Sequence, residues 1–102
     1  MMMMAYDSSP GPIALTEETI ESVRAALVRY VDAPARGDEL GAALRRMAAE
    51  ARDRSMLPEQ LLIVLKDIWH SLPSVRNMSD AADQIRLLQR VVTMCIRAYY
   101  PD

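Results

Sequence analysis

MLPEQLLIVLKDIWHSL, residues 56–72, is the most apolar and least interrupted stretch of the chain, and its reading decides the fold. Pro58 suits the first turn of a helix, where no backbone N–H is needed and the fixed φ is already helical. Glu59 sets a negative charge at the positive end of the helix dipole. Leu61, Leu62, Val64, Leu65, Ile68, Trp69 and Leu72 then recur at three- and four-residue steps. On a helix they cover roughly 160°, more than the ~100° of one buried face. Pro73 ends the run and biases Leu72 towards extended backbone. Opposite the stripe, Ile63, Lys66 and His70 align, so one large apolar residue stands in a polar strip. This helix is expected at the centre of the fold or shared with a partner.

Upstream, Thr16 is the expected cap of a helix reaching about residue 32, with Glu17, Glu18 and Glu21 near its positive end. Ile20, Val23, Leu27, Tyr30 and Val31 form its apolar stripe, and Ala33-Pro34 stop it. Asp38 is the expected N-cap of a second helix, 38–54, which buries Leu40, Leu44, Met47, Ala48 and Ala51. Arg45 and Arg52 fall on its outer side. Arg46 and Glu50 are spaced to pair at i, i+4, in the weaker orientation. Residues 1–14, with Ser8-Ser9-Pro10-Gly11-Pro12, read as a flexible, disordered N-terminal tail ahead of a single helical domain, 15–102.

Downstream, Ser74–Met78 reads as a loop, and Ser79 as the N-cap of a fourth helix running to about Tyr99. Its main stripe is Ile85, Leu88, Val92, Cys95, Ile96 and Tyr99. Leu87, Val91, Met94 and Ala98 form an apolar shoulder beside it. Stripe and shoulder together span roughly 200°, too much for a helix with one neighbour. Four helices (about 16–32, 38–54, 58–72 and 79–99) with short links predict an all-α, compact four-helix bundle. An up-and-down order is the leading expectation and an orthogonal bundle the alternative.

At 102 residues the chain suits one domain with its own core. Half of it is hydrophobic, Phe is absent, and Leu, Val, Ile, Ala and Met dominate, a composition suited to helix packing. A net charge of −2 argues against a protein that lives on nucleic acid or on an anionic membrane. No apolar run approaches the ~20 residues needed to cross a bilayer. The apolar start lacks the basic flank of a signal peptide, so the expected location is cytoplasmic.

No residue set announces catalysis. His70, the one histidine, has Asp67 and Ser71 nearby in sequence, but neither spacing builds a triad on one helix. Cys95, the one cysteine, sits on an apolar stripe and reads as a small buried hydrophobe. One His and one Cys cannot assemble a transition-metal site of familiar spacing, and no glycine-rich nucleotide loop occurs. No cofactor and no enzymatic activity are expected.

What exceeds an ordinary domain is apolar excess. Ile63, Leu87, Val91, Met94 and Ala98 are the expected interface residues of a non-enzymatic, self-associating and regulatory interaction module, a homodimer or the host of a partner helix. Two other readings are kept. A small apolar ligand would sit between helices near Trp69, Met47 or Met94. A weak nucleic-acid-binding regulator would use Arg86, Arg90 and Arg97, which share one stripe and would equally suit an acidic partner.

Overall fold

A computed structural model describes residues 15–100. The expected tail, 1–14, lies outside them. The described chain is all helical: α1 Glu17–Asp32, α2 Asp38–Asp53, α3 Pro58–Ser71, α4 Pro73–Arg76 and α5 Ala81–Tyr99. Among the described residues no helix is long and apolar enough to cross a membrane.

Local chemistry sets each boundary. Thr16 caps α1 as expected, its Oγ1 accepting the Thr19 N–H at 3.3 Å. α2 starts one residue differently: Gly37 is the N-cap, its carbonyl accepting the Gly41 N–H at 2.8 Å. Asp38 therefore falls inside the first turn, where its charge still suits the dipole. α2 ends in a Schellman turn. The Met56 N–H reaches the Ala51 carbonyl at 2.8 Å and the Ser55 N–H reaches that of Arg52 at 3.1 Å. This turn forces Ser55 to φ 58°, a left-handed conformation that usually falls to glycine. Leu57 opens α3 with no side-chain oxygen to offer, so only the reverse half of a capping box forms. The Gln60 Oε1 accepts the Leu57 N–H at 2.9 Å.

Two expectations change after Pro73. The segment read as a loop contains the one-turn helix α4, because the proline that ends α3 is itself preset for a first helical turn. The cap of α5 is Asp80 rather than Ser79; its Oδ1 accepts the Ala82 N–H at 2.9 Å and the Asp83 N–H at 3.4 Å.

α2 packs on α1 and α5, and α3 packs on α5 and α1, with α4 bridging α3 to α1. α1 and α2 run antiparallel. The Thr16 N–H donates to Glu50 at one end of the pair, and Arg29 binds Glu39 at the other. α2 and α3 make only marginal contact although just four residues join them. The neighbour order of a simple up-and-down bundle thus holds for α1–α2 and lapses at α2–α3. The left-handed Ser55 redirects the chain there and buries Met56, so α3 does not return along the side of α2.

One contiguous core results. Trp69 is its largest fully buried side chain, with Leu27, Leu44, Met47, Leu61 and Leu65 around the interior. Ala43, Ala48 and Ala51 are buried on α2, and their small side chains permit the close approach of its neighbours. Arg52 is exposed, as its expected outer position requires, and reaches from there to the end of α5. It donates from Nη1 to the Ala98 and Tyr99 carbonyls at 3.0 and 2.9 Å, a cation on the negative end of α5. Tyr99 returns the contact, its hydroxyl donating to the Met56 carbonyl at 2.6 Å.

Candidate interaction surface

α5 carries the features that bear on function, and its rotation decides what they can do. The expected main stripe is not its buried meridian. Val91 and Cys95 are the residues fully buried on α5, while Ile85 is 57% and Ile96 40% exposed. Leu87, Met94 and Ala98 are half-buried on one flank of that meridian; Leu88 and Tyr99 are half-buried on the other. α5 must serve α2 and α3 at once. The bisector of those two contacts points inward, and Val91 and Cys95 occupy it.

Val91 is therefore removed from the expected interface: it is a core residue with no accessible surface. Leu87, Met94 and Ala98 remain partly accessible and line clefts beside α1 and α2. Ile63 on α3 is 60% exposed, in the polar strip where the sequence puts it. Taking roughly 100° per residue, Ile85, Val92 and Ile96 fall within about 40° of one another on the outer side of α5. With Leu88 and Tyr99 they repeat at three- and four-residue steps, the spacing of a coiled-coil seam. Of the expected stripe, Leu88 and Tyr99 do pack against the core, while Ile85 and Ile96 stay exposed.

Arg86, Arg90 and Arg97 share a second stripe, roughly 100–140° further round the helix. Arg86 is tied to Asp83 at 2.6 Å. Arg90 and Arg97 make no ion pair or hydrogen bond with a described residue. The anticipated Arg46–Glu50 pair does not form. Glu50 instead meets Arg54 at 3.6 Å, the better Glu-before-Arg orientation, and accepts from Thr16.

The remaining candidates have plain surroundings. His70 is exposed at the end of α3. The Cys95 thiol is pushed up to about 11 by burial, which disfavours the thiolate a nucleophile needs. Among the described residues no group of three or more His, Cys, Asp or Glu is placed to hold a metal ion. Of the residues expected near a ligand cavity, Trp69 and Met47 are enclosed by protein, and only Met94 lines any of the principal clefts. The Trp69 Nε1 is buried with no hydrogen-bond partner among the described residues. No family model, no curated protein and no solved structure matches the chain.

Proposed function

We propose that this chain is a non-enzymatic helical interaction module, a bundle of the orthogonal type, that self-associates through the outer seam of α5. The observation that supports the reading is the double apolar character of one helix. Val91 and Cys95 supply its fully buried contact, with Leu88 and Tyr99 packed partly against the core, and Ile85, Leu88, Val92, Ile96 and Tyr99 form a second apolar line in which Ile85 is 57% and Ile96 40% exposed. A single exposed isoleucine is ordinary; a seam-spaced line along one helix is what a partner helix covers.

The seam is self-complementary. Two α5 helices crossing antiparallel about Val92 set Ile85 against Tyr99 of the second copy, Leu88 against its Ile96, and Val92 against its Val92. Gln89 and Thr93 flank the line on its solvent side, so no like charges meet at the centre. An isologous contact of this kind closes as a twofold dimer. One helix pair lies at the low end of interface sizes, so dissociation on the order of 1–100 µM is expected.

Light scattering on a sizing column over a concentration series tests this. Mass should rise from monomer to dimer, and Val92→Glu with Ile96→Glu should hold the protein monomeric with unchanged helicity. A wild-type monomer at every concentration, or a double variant that still dimerises, overturns the reading.

A further inference from the structure

The side of α5 away from its apolar seam carries a groove with a different chemistry. Three shallow clefts share walls there. One of about 260 Å³ lies between α2 and α5 over Gly41, Met94 and Ala98, with Arg45 and Arg97 on its rim. Met94 continues into a second, of about 400 Å³, beside Arg90 and Thr93. Arg86 and Arg90 are shared with a third, of about 360 Å³, over Val31 and Leu87. From Leu87 to Ala98 the trough follows α5 for about 16 Å.

The floor of this trough is apolar and its rim is mainly cationic, the one carboxylate in its lining, Asp83, being held by Arg86. Arg45, Arg90 and Arg97 have no ion-pair or hydrogen-bond partner among the described residues. The side chains of Arg36, Arg46 and Arg76 are likewise without a partner among the described residues, so what sets Arg45, Arg90 and Arg97 apart is that they gather on the rim of one apolar trough. Gly41 adds a separate observation. It lies inside α2, where glycine costs about 1 kcal/mol relative to alanine. Neither its backbone nor its neighbours require glycine. Its φ is not positive, and a Cβ would meet only the ends of two flexible side chains, Arg45 Nη1 at 3.5 Å and Met94 Cε at 3.9 Å. Among the described residues nothing needs that space, which is what a bare backbone at the floor of an occupied groove looks like from the empty side.

We infer that this trough docks an acidic amphipathic helix of a protein partner, with small apolar residues on the Met94–Ala98 floor and carboxylates on Arg45, Arg90 and Arg97. The charge on the rim selects acid, and the apolar floor selects a segment with an apolar strip. Arg90 and Arg97 stand seven residues apart, about 10.5 Å along the axis, so they match carboxylates seven residues apart on a helix lying alongside. A phosphate backbone offers nothing for the apolar floor, and Tyr30, the aromatic in the lining of these clefts, is buried and cannot stack a base. Arg90 and Arg97 lie roughly 100° or more round α5 from the apolar seam, so failure of self-association leaves this inference standing.

The test is selection of a displayed random peptide library on the full chain, followed by affinities of the enriched peptides. The expected peptides are acidic, with an i, i+3, i+4 apolar strip. Their affinity should fall at least tenfold in an Arg90→Gln/Arg97→Gln variant, at least fivefold in Gly41→Gln, and several-fold as salt rises. Gly41→Gln fills the floor while favouring helix, so its loss of binding would not reflect unfolding. Enriched peptides without acidic residues, affinities indifferent to both variants, or no enrichment at all would each overturn the inference. So would tighter, Arg90- and Arg97-dependent binding of a single-stranded RNA homopolymer, which would assign the groove to nucleic acid.

Discussion

Val91→Ala and Ile85→Ala, made separately, read the rotation of α5 directly. Val91 is fully buried, so its shortening removes two methyl groups from the core. At about 0.8 kcal/mol for each, the transfer loss is roughly 1.6 kcal/mol. An unfilled cavity adds to this, while the better helix propensity of alanine returns about 0.5 kcal/mol. The net cost is about 2 kcal/mol, or roughly 8–16 °C in Tm for a domain of this size. Ile85 is 57% exposed, so most of its side chain already meets water, and Ile85→Ala should stay within about 0.5 kcal/mol of the parent. Urea unfolding followed by Trp69 fluorescence gives both numbers, since that indole is fully buried and its emission shifts on exposure. The protein must be dilute enough to be monomeric. If Ile85→Ala costs as much as Val91→Ala, α5 is turned the other way and its outer seam does not exist.

Three further outcomes follow from named contacts. Ser55→Gly should raise stability by about 0.5–1 kcal/mol in the same urea assay, because glycine occupies the left-handed position without a Cβ clash; a loss would refute the Schellman geometry. Cys95, its thiol pushed up by burial, should react with a disulfide reagent only as fast as the core opens, with labelling tracking the Trp69 transition. Labelling at the rate of a free thiol in native buffer would contradict its placement. For Glu50, partial burial alone would raise the pKa, but hydrogen bonds from Thr19 and from the Thr16 N–H and hydroxyl, with the Arg54 charge, outweigh it and leave the value lowered. A lowered folded pKa gives stability that is fully present above the ordinary carboxylate value of 4.5 and is lost as pH falls through the folded value. Glu50→Gln should therefore flatten part of the acid limb of a stability–pH curve; an unchanged limb would mean the contacts do not persist in solution.

The helices were legible because their signals are local. Thr16, Pro58 and Pro73 act through their own backbone neighbours, and the 3.6-residue recurrence of Leu61, Leu65, Ile68 and Leu72 needs no knowledge of the partner surface. What periodicity cannot supply is the direction from which neighbours come. On α5 the apolar arc is wide enough to accept several rotations, and only the joint demand of α2 and α3 turns Val91 inward and Ile85 outward. The same holds for the order of helices. No residue in 54–57 announces a left-handed Ser55, yet that conformation separates α3 from the flank of α2. Arg86, Arg90 and Arg97 were readable as a stripe from spacing alone. That Arg45 and Gly41 of α2 complete a groove with them follows from tertiary packing and has no signature in the chain.

Disulfide trapping at position 92 tests the central claim most directly. In a Cys95→Ala background, Val92→Cys places one thiol on the twofold axis of the antiparallel α5 pair, where two Cβ atoms approach within bonding range of about 4 Å. Ile63→Cys, more exposed than position 92 but on the polar strip of α3, is the control, since exposure alone would make it the faster to oxidise. Mild oxidation should convert the position-92 variant to a covalent dimer far faster than the position-63 variant, with helicity intact in both. Equal rates at the two positions, or no dimer at position 92, would contradict self-association through this seam.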